Sequence, residues 1–169
     1  MTSRFESDLT NSGTATPTAL RLRLHFVGAH AAGIKRQGEI VLFSEAFAKY
    51  GAKLKNLYWS VSAQSADGDL VISCWKHRFS KPQGNTITYK DYVDRWTGPG
   101  NKELRANLDQ ALESKQAIRA VIARTSDVEA VENGSDASQM TNEFHVRDDW
   151  IGELVLWDGN NFEIRFVRQ

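Results

Sequence analysis

The C-terminal stretch IGELVLWDGNNFEIRFV, residues 151–167, carries the strongest structural pattern of the chain. Residues 151–157 and 162–167 are two runs rich in β-formers, and the second alternates apolar and polar side chains with the period of a strand that has one buried face. Asp158 and Gly159, followed by two asparagines, separate the two runs, and such residues form tight turns between antiparallel strands. The stretch therefore predicts a C-terminal β-hairpin.

Similar patterns predict strands elsewhere in the chain. Residues 57–63 and 70–79 are rich in β-formers and flank an Asp67-Gly68 turn, which indicates a second hairpin. The nearly all-apolar run at residues 117–123 is typical of a central strand. Shorter or amphipathic runs predict further strands at residues 20–26, 40–43 and 86–89.

Two main helices are predicted between these strands. One begins at Ser44 and continues to about residue 54. The other is capped by Asn101 and extends to about residue 116, because Leu104, Leu108 and Ala111 recur at helical spacing. A further short helix is predicted at residues 89–96, and residues 127–142 are predicted to form a surface loop.

This order of elements predicts an α+β fold. The sheet is expected to be mostly antiparallel and curved, or a small, partly open β-barrel, with the two main helices packed on it. PUA-like and SRA-like base-reading domains share this architecture and size, although none of their motifs occurs here at matching spacing. Residues 1–19 are expected to form a flexible N-terminal tail, and residues 20–169 a single domain.

Composition narrows the classes of protein to consider. An apolar content of 41% is sufficient to build a core. Cys74 is the single cysteine, which rules out an internal disulfide and is typical of a reducing compartment, so we expect a cytoplasmic protein. Neither a secretory signal nor an apolar run long enough to span a bilayer occurs in the sequence.

The net charge of zero conceals an uneven distribution. Residues 1–125 hold 18 Lys and Arg against 11 Asp and Glu, whereas residues 126–169 hold 3 against 10. If the two segments stay apart in the fold, the positive one would attract a polyanion. If they interleave, their charges cancel.

The segment from Trp75 to Trp96 interleaves aromatic and basic residues, the combination with which proteins stack on bases and neutralise phosphates. The alternative, favoured for the tryptophans, is that the aromatic residues form the core and the bases its solvated rim. Arg21 and Arg23 add a second cationic strand face. The predicted nucleic-acid-binding residues are Arg21, Arg23, Trp75, Lys76, Arg78, Lys81, Tyr89, Tyr92, Arg95 and Trp96.

A second candidate site lies at the predicted start of the long helix. Backbone N–H groups at a helix N-terminus bind anions, and Gly100, Asn101, Lys102 and Arg105 could form such a site. A plain turn with an asparagine cap explains the same residues. The Gly-Lys-Ser/Thr ending of a nucleotide-binding loop is absent.

Metal and cofactor sites are not predicted. Cys74 and His77 fall on opposite faces of the predicted strand, and zinc needs further ligands. A nuclease-like arrangement of Asp67 or Asp69 with Lys76 has a cysteine where the metal-binding carboxylate is needed. No catalytic residues are therefore assigned.

The sequence favours a non-catalytic nucleic-acid-binding module for DNA or RNA, one that reads an exposed, flipped or modified base. One alternative is a protein–protein interaction domain that binds an effector through its acidic segment or an aromatic patch. The other is a small-metabolite enzyme built on His77, His145, Arg147 and Asp148.

Overall fold

The computed structural model describes residues 42–135 and 140–169. Across these residues the chain forms seven strands, three α-helices and a 3-10 turn at Lys76–Arg78. The helices are α1 (Phe43–Ala48), α2 (Pro99–Ser114) and α3 (Val128–Glu132). The strands are β1 (Ser62–Gln64), β2 (Leu70–Trp75), β3 (Thr86–Tyr92), β4 (Ile118–Thr125), β5 (Asn142–Val146), β6 (Trp150–Trp157) and β7 (Asn161–Arg168).

The strands form one sheet in the order β1-β2-β4-β6-β7-β3, and β5 pairs with β4 outside this path. Strands β2 and β4 run parallel, whereas the other paired strands run antiparallel. Within residues 42–135 and 140–169 the sheet does not close into a barrel. The predicted α+β fold with a mostly antiparallel sheet is confirmed.

The C-terminal hairpin formed by β6 and β7 is confirmed. Leu154 pairs with Ile164 across it, and Phe162, Ile164 and Phe166 are buried. Gly159 adopts φ +93°, which glycine tolerates without strain, and the Asp158 carboxylate accepts backbone hydrogen bonds from Asn160 and Asn161. Together with the Asn161 side-chain amide, these bonds hold the pKa of Asp158 below its ordinary value.

The core lies on both faces of the central strands. Ile118 and Ala120 of β4 face the cluster that α2 covers with Leu104 and Leu108, whereas Val121 belongs to a second cluster under α1. β2 alternates between the two clusters in the same way. Burial on both faces explains why residues 117–123 are almost entirely apolar, and the predicted central strand is confirmed.

Helix α2 begins earlier than its predicted cap. The helix starts at Pro99, directly after Gly98 with φ +112°, and it ends before Lys115 in the left-handed region. Proline suits a first helical position because its missing N–H would have no partner there. The prediction that Asn101 caps the helix is wrong, because its side chain donates backwards to the carbonyls of Val93 and Trp96.

Two predictions for the segment from Trp75 to Trp96 are also wrong. The strand predicted at residues 70–79 ends at Trp75, whose N–H donates to the Tyr89 hydroxyl before the chain enters the 3-10 turn. The helix predicted at residues 89–96 is absent from the described chain, because β3 pairs with β7 from Thr86 to Tyr92. Cross-strand pairing of aromatic and β-branched residues outweighs the helical spacing of the aromatics.

The first main helix is shorter than predicted, ending at Ala48 ahead of Gly51 with φ +68°. The strand predicted at residues 57–63 is mostly a turn, and only its last two residues belong to a strand, since β1 begins at Ser62.

The predicted loop at residues 127–142 contains α3, and Asp127 caps this helix by accepting from the Ala130 N–H. The predicted strand at residues 20–26 lies outside the described residues, as do residues 40 and 41 of the strand predicted at 40–43.

The described part of the chain contains no helix that is both long and apolar enough to cross a bilayer.

Candidate functional site

A cavity of about 650 Å³ lies where residues 57–61, the end of β2, the start of α2, and α3 come together. Aromatic residues form part of its wall, beside aliphatic, small and polar ones. The aromatic lining residues are Phe43, Tyr58, Trp59, Trp75, Trp96, Phe144 and Phe162. A cavity of this size, with apolar and aromatic side chains in its wall, is typical of small-molecule sites in general.

Three tryptophans from three separate segments form much of this wall. Within the described residues, no two of the rings of Trp59, Trp75 and Trp96 pack against each other. Trp75 stacks against His77 with ring centroids 6.3 Å apart, and Trp96 packs on the core cluster beneath α2. Each of these two rings therefore serves both as partly buried packing and as cavity wall.

One ion pair, Asp91 with Arg95, forms the charged part of the wall. The Arg95 Nε and Nη2 atoms lie 3.1 and 2.9 Å from the two Asp91 carboxylate oxygens. Their side chains are only 10% and 5% exposed. Burial disfavours the charge on Arg95, but the hydrogen bonds and negative charge of Asp91 outweigh it and raise the pKa of the guanidinium.

The Asp91 carboxylate has no remaining capacity for a ligand. It also accepts from the Tyr89 hydroxyl at 2.7 Å and the Tyr92 N–H at 2.8 Å, and Arg78 lies 3.3 Å away. A carboxylate offers about four lone-pair sites, and all are engaged here. Asp91 therefore positions Arg95 and does not itself serve as a free anion.

The ion pairs extend from the cavity to α3. Arg78 bonds Glu132, which also lies 2.8 Å from the ring Nε2 of His77. The Val131 carbonyl, one residue earlier, accepts from Arg95 at 3.4 Å. These contacts fix α3 against the 3-10 turn and hold one wall of the cavity in place.

The structure separates the predicted nucleic-acid-binding residues into groups. Tyr89 is fully buried, and burial, followed by the charge of Asp91, raises the pKa of its phenol well above the ordinary value. It cannot stack on a ligand, so placing it at an interface was wrong. The Tyr92 ring is covered by the Arg78 guanidinium at 5.0 Å.

The predicted cations divide in the same way. Arg78 and Arg95 are engaged with Asp91 and Glu132, so neither contributes free positive charge. Lys76 and Lys81 are exposed and form no ion pair with another described residue. Arg21 and Arg23, together with His25 on the same predicted strand, lie outside the described residues.

The predicted anion-binding residues mostly have structural contacts. Asn101 donates to the Val93 and Trp96 carbonyls, and Arg105 donates to Asn101 at 2.8 Å and pairs with Asp94 at 2.5 Å. These bonds hold the turn that carries Arg95 and Trp96. Lys102 is exposed beside them, and anion binding there stays a prediction.

Gly100 brings two cavity walls into direct contact. A Cβ atom at this position would lie 2.0 Å from the Trp59 carbonyl oxygen and 3.3 Å from the Trp96 ring. Gly134, with φ +73°, approaches the Arg95 carbonyl in the same way, with a Cβ distance of 2.1 Å. Only glycine permits these approaches without displacing the backbone.

The basic and acidic segments of the chain are interleaved. The acidic segment contributes β5, β6 and β7, which pair with β4 and β3 of the basic segment. Ion pairs that join the two segments include Arg78 with Glu132, Lys90 with Glu163, and Arg124 with Glu143. The three arginines of the acidic segment pair within it, so only part of the uneven charge distribution is neutralised between the segments.

Sequence reasoning missed Trp59, Tyr58, Phe43 and Phe144. Tyr58 and Trp59 fell within a predicted strand, where aromatic residues are ordinary. In the structure, residues 56–60 form a turn in which the Asn56 side chain accepts from the Tyr58 N–H and Ser60 Oγ accepts from the Asn56 N–H. Asparagine and serine side chains favour turns by bonding the nearby backbone, so Asn56 and Ser60 could have indicated this turn.

The residues proposed for a metabolite enzyme do not converge on the cavity. His77, His145, Arg147 and Asp148 are all absent from its described lining. Among the described residues, no three His, Cys, Asp or Glu side chains are grouped closely enough to hold a metal ion. The cavity therefore offers a ligand aromatic and aliphatic surface beside one neutralised ion pair.

No family model, curated protein or solved structure matches this chain.

Proposed function

We propose that this protein is a non-catalytic nucleic-acid-binding module that takes an exposed or flipped base into the aromatic cavity. The observation that carries the proposal is the cavity of about 650 Å³ walled by Trp59, Trp75 and Trp96 beside a self-neutralised ion pair. Base–aromatic stacking contributes about 1–3 kcal/mol per base. We also propose that the architecture is PUA-like or SRA-like, with the sheet and helices together forming the base-binding cavity.

The electrostatics of the cavity favour an uncharged ligand. A site for an ammonium ligand would benefit from a free carboxylate or net negative charge beside its aromatic rings. Here the lining carboxylate, Asp91, is already bonded to Arg95 and close to Arg78. A neutral heteroaromatic ring is compatible with both the aromatic side chains and the neutralised Asp91–Arg95 pair, and a nucleobase is such a ring.

Exposed lysines flank the cavity-lining segments in the sequence. Lys55 precedes the turn at residues 56–60, Lys76 follows Trp75, and Lys102 lies two residues after Gly100. None of the three pairs with a carboxylate among the described residues. We assign them to the phosphates on either side of the bound base.

The rim of the cavity carries an exposed aromatic residue. Tyr58 is 89% exposed and Leu57 is 65% exposed, on a turn whose conformation the Asn56 and Ser60 side chains fix. Proteins that extract a base commonly insert an apolar side chain into the stack that the base leaves. We assign this role to Tyr58, which is exposed beside the cavity.

A salt titration tests the proposal. Binding of labelled single strands, and of duplexes with one unpaired base, is followed by fluorescence anisotropy between about 25 and 200 mM salt. Three lysine–phosphate contacts predict a slope of about −2 to −3 in log K against log salt. Trp59→Ala should weaken binding, whereas the control Trp157→Phe, outside the cavity lining, should not. No binding at low salt, or no slope, contradicts the proposal.

A protein-binding function is the second candidate. Leu42, Leu57 and Tyr58 are all more than 60% exposed, and exposed apolar groups of this kind also occur at protein interfaces. This alternative predicts complexes whose affinity is insensitive to oligonucleotide competitors. A cytoplasmic location is part of either proposal, since the buried Cys74 thiol would remain reduced there.

A further inference from the structure

Arg95 contacts Asp91 through one edge of its guanidinium. The Nε atom meets Oδ1 at 3.1 Å and the Nη2 atom meets Oδ2 at 2.9 Å, which is a side-on, bidentate pair. A guanidinium carries five N–H groups in a fixed planar fork. The pair with Asp91 uses two of them.

The other edge of the guanidinium retains donors. The Val131 carbonyl lies 3.4 Å from Nη1 and takes one N–H at most. Two of the five N–H groups therefore have no acceptor among the described residues, one of them on Nη2. The Arg95 side chain is 10% exposed and lines the cavity, where unmade hydrogen bonds are costly.

The position of this fork is fixed in advance. Tyr89 and the Tyr92 N–H hold Asp91, and the close approach of Gly134 holds the Arg95 backbone. A donor group that is already oriented loses little conformational entropy when it binds a ligand. A ligand that binds both remaining N–H groups, one on Nη1 and one on Nη2, must offer two adjacent acceptors.

We infer that Arg95 selects a base with two adjacent acceptors, and that this base is guanine, read through O6 and N7. This inference rests on the proposed function. Arginine reads guanine in this bidentate way in protein–DNA complexes, whereas adenine places a donor amine beside N7. Neutral cytosine also has an adjacent pair, O2 and N3, but guanine offers a larger ring system to the tryptophans. Uracil and thymine interleave donors and acceptors.

Titration of the wild-type protein with nucleoside 5′-monophosphates, followed by tryptophan fluorescence, tests the inference. GMP should bind about 10- to 100-fold more tightly than AMP or UMP, the range expected for one bidentate pair. The 7-deaza analogue of GMP, which lacks the N7 acceptor, should lose about 10-fold. CMP binding more tightly than GMP would overturn the assignment to guanine.

Arg95→Lys is the variant that tests the fork itself. Lysine keeps the charge but cannot form the bidentate pair, so the discrimination among bases should disappear. The matched control is Arg119→Lys, because Arg119 is a partly buried arginine that pairs with Asp69 and does not line the cavity. If Arg95→Lys does not fold, the 7-deaza comparison on the wild-type protein still decides.

The outcomes separate this inference from the proposed function. Equal binding of all four nucleotides leaves a base-binding cavity in place and overturns selection by Arg95. Unchanged discrimination in Arg95→Lys overturns it as well. Binding of none of the nucleotides, nor of oligonucleotides, removes the proposed function and the inference with it.

Discussion

Replacing Gly100 with alanine tests how rigidly the cavity walls are held. The new Cβ would lie 2.0 Å from the Trp59 carbonyl oxygen, whereas ordinary contacts begin at 3.4 Å, so about 1.4 Å of separation must be found. The obstacle is a backbone atom and not the end of a flexible side chain. The turn at residues 56–60 and the N-terminus of α2 must therefore move apart.

The magnitude follows from two opposing effects. Overpacking typically costs about 1–3 kcal/mol, and a backbone obstacle places this case near the upper end. Alanine is favoured over glycine by up to about 1 kcal/mol inside a helix, which offsets part of the cost. We expect a net loss of about 2 kcal/mol, or a fall in Tm of about 4–8 °C for a chain of this length.

Urea and thermal unfolding, monitored by circular dichroism, measure this loss. The matched control is Ala106→Gly on the same helix, an exposed position where propensity alone predicts a loss of about 1 kcal/mol. Only Gly100→Ala should also alter the fluorescence of the native state, because Trp59 and Trp96 both contact the new methyl group. A Gly100→Ala variant as stable as the wild type, with unchanged fluorescence, would refute the close contact of the walls.

Three further predictions follow from the charges. Asp91→Asn should destabilise the fold by about 3–5 kcal/mol in urea unfolding, because it leaves the buried Arg95 guanidinium without its carboxylate. The control Asp94→Asn, at an exposed carboxylate, should cost under about 1 kcal/mol. Equal losses would contradict this. Burial raises the pKa of Tyr50 to about 12, so the phenol ionises first in the unfolded state and the free energy of unfolding should fall as pH rises from about 10 to 12. The fall should be less steep in Tyr50→Phe, and parallel pH profiles of the two proteins would exclude this role. Lys76→Gln should reduce the magnitude of the slope of log K against log salt for duplex binding by about 0.9, whereas Lys115→Gln, at the far end of α2, should leave it unchanged. An unchanged slope in Lys76→Gln would contradict this phosphate contact.

Local patterns predicted those parts of the fold that local interactions determine. The hairpin of β6 and β7 follows from alternation and an Asp-Gly turn within residues 151–167, and β4 follows from its apolar run. By contrast, Tyr89 and Tyr92 showed helical spacing but lie in β3, because pairing with β7 decides their conformation. That partner is far away in the sequence, so no local pattern could reveal it.

The cavity was predictable only in part, for the same reason. Trp75 and Trp96 stood out by composition, but Trp59 joins them through the tight approach of its carbonyl to Gly100. Asp91 and Arg95 have the i, i+4 spacing of a helical ion pair, yet they meet across the end of a strand and the turn after it. Which cations remain free for a ligand depends on such tertiary pairs and could not be inferred from charge counts.

Fluorine NMR of the protein labelled with 5-fluorotryptophan shows whether a base enters the cavity. The five tryptophans give five resonances, assigned by single Trp→Phe variants. On titration with an oligonucleotide that carries one unpaired guanine, the resonances of Trp59, Trp75 and Trp96 should shift, while those of Trp150 and Trp157 stay in place. Binding that leaves the three cavity resonances unmoved would contradict a base-binding cavity.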